Sequence, residues 1–256
     1  MLTYIDSHAH YDDEQFDSDR DELLLRLNKG GVRNIVNIGC TIERSQFSVE
    51  LAKKYPFVYA AVGIHPEDAS DAPSGYLDII RKMAEYEKVV AIGEIGLDYH
   101  FEGFDREMQI RFFEEQLDLA KEMGLPVVIH SRDAAEDTMN ILQKRGEVSG
   151  VMHCFSGSAE TAKQVLALGM NISFTGVLTF KNARKAIEAL RVIPLDRLML
   201  ETDCPYMAPE PNRGKRCDSG MIVNVIEKIA EIKEVSPELV AEKTIENTMK
   251  LFSKIK

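Results

Sequence analysis

The chain lacks the glycine-rich phosphate loops that mark two large α/β classes. Neither a GxGxxG nor a GxxxxGK[ST] string occurs in its 256 residues, which argues against dinucleotide-binding and P-loop folds. Cysteine is scarce. Cys40, Cys154, Cys204 and Cys217 form no CxxC pair and are too few for a disulfide framework, which fits a reducing compartment. Long hydrophobic runs are missing too: Phe57 to Ile64, among the longest, falls far short of a bilayer span. Met1 to Asp6 has neither the basic start nor the apolar core of a signal peptide. A cytoplasmic protein with no membrane association is therefore expected, and nothing calls for an obligate protein partner. Positive charge is in deficit, with 31 Lys and Arg against 42 Asp and Glu and a net charge of −11. Such a balance excludes coating nucleic acid by bulk charge but leaves room for a local phosphate site. Internal repeats, low-complexity tracts and Pro/Ser-rich linkers are also absent, so one domain over residues 1–256 is expected.

What the chain does have is 45% hydrophobic and 29% charged residues, enough to bury a sizeable core. Short Val- and Ile-rich runs recur from end to end, and they read as eight buried parallel strands. They are Leu2 to His8, Asn34 to Ile38, Val58 to His65, Val89 to Glu94, Val127 to His130, Val151 to His153, Met170 to Phe174 and Leu198 to Asp203. Helical segments lie between them. Asp19 to Lys29 sets Leu23, Leu24 and Leu27 on one face and stops at Gly30-Gly31, and Asp105 to Met123 ends at Gly124. Ser158 is placed to cap a helix running to Leu168, and Ser236-Pro237 to open the last one. Strict alternation of strand and helix, eight times over this length, predicts an α/β fold, a (β/α)8 TIM barrel in a single domain.

Catalytic groups of such a barrel sit at the C-terminal ends of its strands. Every histidine but His100 falls at or just past a predicted strand end: His8 and His10, His65, His130 and His153. Glu94 and Asp203 share that placement. Singly, each has an ordinary reading, as a surface pair, a hydrogen-bonded core histidine or a helix cap. Together, His8, His10, Glu94, His130, His153 and Asp203 bring six ligand-type side chains from five strands to one face, where packing alone would place Val, Ile or Leu. Six ligands exceed the needs of one zinc, so two divalent ions are expected. Glu94 is the expected bridge, with His8, His10 and Asp203 on one ion and His130 and His153 on the other. Paired imidazoles suit zinc, manganese or nickel, whereas magnesium prefers oxygen.

Six strings in order carry a family resemblance: Asp6-Ser-His-Ala-His10, Gly63-Ile-His-Pro66, Gly93-Glu-Ile-Gly-Leu-Asp-Tyr99, Ile129-His-Ser-Arg132, His153-Cys-Phe-Ser-Gly157 and Glu201-Thr-Asp-Cys-Pro-Tyr206. From Ile5 to about Phe252 the chain resembles the TatD family of metal-dependent deoxyribonucleases, part of the amidohydrolase-like barrels. The resemblance implies a two-metal hydrolase with ligands at the same six positions, and a substrate-facing role for His65. It also implies phosphodiester cleavage of DNA, often as a 3′-5′ exonuclease working from an end.

Within that reading, Asp203 is either the base that takes a proton from the attacking water or purely a ligand, and Glu94 acts beside it. Glu201 orients a histidine or water, or pairs with a basic neighbour. Arg132 contacts phosphate or forms a salt bridge to Glu94 or Asp133. The Ser156-Gly157-Ser158 turn holds an anion on free amides or serves only as the Ser158 cap. Tyr99 and Tyr206 stack on a base or pack beneath their loops. Arg213, Lys215 and Arg216 form a basic loop on the catalytic side, phosphate-binding or merely solvated. DNA ends or oligonucleotides are the expected substrate. The closest rival is hydrolysis of an ester, lactone or amide, such as an aminoacyl ester, and a non-catalytic metal-binding barrel fits an intact ligand set poorly. No lysine ends a predicted strand, which favours Glu94 over a carboxylated lysine as the bridge.

Overall fold

The structure is a computed structural model that describes residues 2–256. Eight strands pair in parallel in chain order: β1 (Tyr4–Ala9), β2 (Val32–Ile38), β3 (Val58–Val62), β4 (Val89–Asp98), β5 (Val127–Arg132), β6 (Gly150–Met152), β7 (Asn171–Phe174) and β8 (Leu198–Leu200). The ring closes just past β8. There Asp203 donates its backbone N–H to the His8 carbonyl at 3.0 Å and His10 donates to the Cys204 carbonyl at 2.9 Å. The result is a nearly closed (β/α)8 barrel in one domain, with helices outside and a strand interior buried almost throughout.

The connecting helices are α1 (Arg20–Lys29), α2 (Ile42–Lys54), α3 (Tyr76–Ala84), α4 (Arg106–Met123), α5 (Ala135–Arg145), α6 (Ala159–Ala167), α7 (Arg184–Val192), α8 (Ile222–Lys233) and α9 (Pro237–Leu251). Their ends follow local chemistry. Asp105, Ser158 and Ser236 each accept a hydrogen bond from the backbone N–H three residues on, satisfying an otherwise unpaired first-turn donor. Gly124 ends α4 in the left-handed conformation, as expected, whereas after α1 it is Gly31, not Gly30, that takes positive φ. Two helices, not one, follow β8. The second, α9, packs against both β1 and β8. Its Asn247 amide donates to the Leu195 and Leu198 carbonyls, pinning the helix where the barrel closes. No helix is long and apolar enough to cross a membrane among the described residues.

Strand ends differ from expectation in a way that matters for the site. β3, β6 and β8 stop early, so His65, His153 and Asp203 stand on irregular backbone beyond them, while β4 runs on to Asp98 and β5 to Arg132. The cause in β4 is a bulge. Ile92 pairs with Val127 and Ile95 with Ile129, three residues of advance against two, so Glu94 sits at the irregularity and is turned toward the barrel mouth. Beyond it, Gly96 (φ 145°) pairs with His130, and a Cβ there would lie only 2.0 Å from the His130 carbonyl oxygen. Only glycine allows β4 and β5 to approach this closely.

Candidate metal centre

A second bulge lies in β1, where Asp6 and Ala9 pair with Ile35 and Asn37. It leaves His8 and His10 facing one space, with Nε2 atoms 3.0 Å apart. Asp6 fixes their backbone from beneath. This fully buried carboxylate accepts from the Thr202 and Ser219 hydroxyls, both at 2.6 Å, and from the backbone N–H groups of Thr202 and His8. Burial outweighs these bonds and raises its pKa to about 6.

Glu94, 3% exposed, stands between two groups of imidazoles. Its Oε1 lies 2.6 Å from His153 Nε2 and 2.9 Å from His130 Nδ1, while Oε2 lies 3.4 Å from His8 Nε2 and 3.9 Å from His10 Nε2. Asp203 Oδ1 joins the second group, 3.3 Å from His10 Nε2 and 3.5 Å from His8 Nε2. Burial would raise the Glu94 pKa, but His153, His8 and the contact with His130 hold it well below the ordinary carboxylate value. Burial also works against charge on the rings. It takes His8 down to about 4 and His65 to about 3, whereas at His130 the bonds to Asp98 and Glu94 overcome it and lift the pKa to about 9.

The outer nitrogens indicate what the inner ones need. His10 Nδ1 faces the Ile38 carbonyl at 3.1 Å, and His130 Nε2 faces Asp98 Oδ2 at 2.9 Å. With protons donated there, the lone pairs of His10 Nε2 and His130 Nδ1 point at carboxylate oxygens, acceptor against acceptor. Such contacts require a shared positive charge, either ring protons or cations. Imidazole nitrogens and carboxylate oxygens converging in this way form a donor set that fits divalent metal. Three-residue combinations close enough to hold an ion include His8, His10 and Glu94, and Glu94, His130 and His153.

All six expected ligand positions thus meet at one place. His65 joins them, its Nε2 3.8 Å from Glu94 Oε1 and its ring edge-on to His130. Its Nδ1 accepts from the Glu67 backbone N–H, so it also caps the turn that follows. Glu201 is fully buried and accepts from the Ser173 hydroxyl at 2.6 Å and from the Cys154 backbone N–H; its Oε1 is 3.7 Å from His153 Nδ1. Its neighbours are therefore a hydroxyl, an amide and a histidine rather than a cation, and burial pushes its pKa up to about 7.

The remaining expected positions are found as follows. Arg132 forms no salt bridge to Glu94 or Asp133 among the described residues: its guanidinium lies over the Phe101 ring, and Asp133 pairs with His100 instead. Ser156 is exposed and has no hydrogen-bond partner among the described residues, while Ser158 caps α6. Tyr206 is 49% exposed, but its hydroxyl is tied to Asp13 at 2.9 Å. Tyr99 stacks on Phe104 and donates to Asp137, a packing role. The basic loop is dispersed: Arg216 grips Asp19 and covers Phe16, Arg213 covers Phe180, and Lys215 reaches Asn212.

Asp98 is the residue that sequence reasoning missed. Buried at the end of β4, it holds His130 Nε2, and Gln109 clamps its own backbone through both the N–H and the carbonyl. The strand was expected to end at Glu94, and it is the run of β4 on to Asp98 that brings this carboxylate to His130.

A (β/α)8 barrel whose C-terminal mouth gathers histidines and carboxylates able to bind metal belongs to the metal-dependent hydrolases of the barrel class. The family described as TatD related DNase matches residues 5–253, and the chain belongs to it. An uncharacterized metal-dependent hydrolase of Bacillus subtilis (strain 168), YabD, is 45% identical over 249 residues, covering 96% of this chain and 98% of that protein. The protein of Cronobacter sakazakii described as the 3′-5′ ssDNA/RNA exonuclease TatD is 34% identical, with 94% of each chain covered. Among solved structures, the TatD homologue YjjV of Escherichia coli aligns with a TM-score of 0.92 at 32% identity over 98% of each chain.

Proposed function

We propose that this protein hydrolyses phosphodiester bonds of DNA, working from strand ends in the 3′-5′ direction, with two divalent ions held at the barrel mouth and in the cytoplasm. The observation that carries the reading is the division of Glu94, one oxygen toward His130 and His153 and the other toward His8 and His10. A single carboxylate set between two imidazole pairs suits a bridge between two ions rather than one ligand of a single ion. His8, His10 and Asp203 would complete one site, and His130 and His153 the other. Zinc, manganese or nickel match these donors better than magnesium. Two such ions supply an activated water at neutral pH and relief of charge on the phosphoryl oxygens.

The chain's own groups do the rest. Asp203 accepts the proton of the attacking water through its more exposed carboxylate, 15% accessible against 4% for Glu94. The kinship with a protein named as an ssDNA/RNA exonuclease supports nucleic acid as the substrate class. Arg132, exposed and free of carboxylate partners among the described residues, is available to the phosphate chain. His65 faces the substrate beside Glu94, and Ser156 and Tyr206 stand exposed on the same rim. Cleavage of a 5′-labelled single strand, set beside closed circular duplex, tests the end preference. The single strand should be shortened stepwise and at least about tenfold faster, because a net charge of −11 offers no long basic groove for gripping internal duplex. Equal rates on both would contradict it.

Asp98 has a place in this account as a positioning residue. Its bond to His130 Nε2 fixes the ring with Nδ1 turned toward Glu94, the arrangement by which a carboxylate outside a metal site orients a histidine ligand. Asp98→Ala should weaken binding of the more loosely held ion by about 10- to 100-fold, while Asp98→Asn, which can still accept the ring proton, retains most of the affinity. Isothermal titration of metal into the apo-protein measures both. Identical affinities for Ala and wild type would remove Asp98 from the account.

A further inference from the structure

A cavity of about 310 Å³ lies beside the metal cluster and shares Asp98 with it, between the turn after β3 and the loop from residue 99 to 105 that leads into α4. That loop carries Phe101, at 54% the most accessible of the exposed large apolar side chains, and Phe104 at 40%. Single exposed apolar residues are ordinary, but two aromatics at the rim of a cavity next to a reactive centre are characteristic of a ligand surface. The loop is anchored. Phe104 stacks on Tyr99 with ring centroids 4.6 Å apart, and Asp137 takes both the Tyr99 hydroxyl at 2.7 Å and the Arg106 guanidinium at 2.7 and 2.8 Å. Phe101 is therefore presented on a braced loop, at low ordering cost to a ligand.

The chemistry of the walls selects that ligand. Asp98 is committed to His130 and to the His100 backbone, and Asp105 caps α4. Glu67 and Glu102 remain, with no hydrogen-bond donor on their carboxylates among the described residues. A purely apolar occupant would desolvate these acceptors without pairing them, and an anion alone would be repelled. Arg132 supplies a cation, its guanidinium 5.3 Å from the Phe101 ring centroid. An aromatic face, N–H acceptors and one guanidinium together complement the parts of a nucleotide: a flat base, its N–H edge and its phosphate.

We infer that this cavity holds the nucleobase next to the scissile phosphate, stacked on Phe101 with its N–H edge toward Glu67 and Glu102, while Arg132 takes the adjoining phosphate. The inference rests on the phosphodiester reading and is separable from it. The test uses a 5′-fluorescein-labelled five-nucleotide single strand whose 3′-terminal residue is either cytidine or abasic, bound to the intact protein in EDTA and followed by anisotropy. Wild type should bind the intact strand about tenfold more tightly than the abasic one, the scale of one stacked base. Phe101→Ala should erase that ratio without changing affinity for the abasic strand, and Phe101→Tyr should keep it. Equal affinities in wild type, or a ratio that survives Phe101→Ala, would overturn the inference. The same strands with manganese restored then separate the two claims. A base preference without hydrolysis removes the phosphodiester reading and leaves the base pocket, whereas hydrolysis without a preference does the reverse.

Discussion

Glu94→Ala should cost the protein its bound metal and its activity together. Among the described residues no other carboxylate faces both imidazole groups: Oε1 lies within 2.9 Å of His130 and His153, and Oε2 is 3.4 Å from His8. Removing it would take a ligand from each ion at once. The change would also leave a buried gap among five histidines whose charge Glu94 helps to balance, so neither ion keeps a full set of donors. Metal retained after dialysis should fall from two equivalents to less than one. Turnover on single-stranded DNA should drop by at least about a thousandfold, comparable to the larger losses seen when an electrostatic stabiliser of a transition state is deleted. Elemental mass spectrometry on the protein used for the rate measurement checks both. A metal-replete Glu94→Ala protein would show that each ion is held without a bridge.

Asp203→Asn should separate binding from chemistry. Asparagine keeps the shape and one ligating oxygen but cannot accept the water's proton. Asp203 is suited to that task. Burial would raise its pKa, yet the His10, His8 and His153 imidazoles around it hold the carboxylate below its ordinary value. Its backbone adopts φ 60°, an uncommon conformation for a residue with a side chain, held by the bond from its N–H to the His8 carbonyl. Metal content should survive the change, while kcat falls about 100-fold or more, the scale of lost general base catalysis. Near-normal kcat in a metal-replete variant would make Asp203 a ligand only and send the proton elsewhere.

Why these two carboxylates could be picked out from the sequence is instructive. Apolar periodicity marks where strands run, and residue types that packing would not choose mark their ends, so the eight strands and the six convergent positions were legible. Helix starts at Asp105, Ser158 and Ser236 were legible for a local reason: the capping side chain and the amide it satisfies are three residues apart. Register was not. The bulges in β1 and β4 arise from pairing with neighbours distant in the chain, and they turn Glu94 and the His8–His10 pair into the mouth. The same limit hid Asp6, whose partners Thr202 and Ser219 lie about two hundred residues away, and the docking of α9 across β1 and β8. Basic side chains misled for the same reason. Arg216 occupies a loop on the catalytic side, but Asp19 and Phe16, far away in sequence, take it up.

The most direct test of the account is a metal titration of activity. Protein shown by elemental analysis to be metal-free should leave a 5′-labelled single strand intact, and adding manganese or zinc should restore shortening until two ions are bound per chain. Full hydrolysis by the metal-free protein, or activity that saturates at one ion, would contradict a centre in which Glu94 joins two metals.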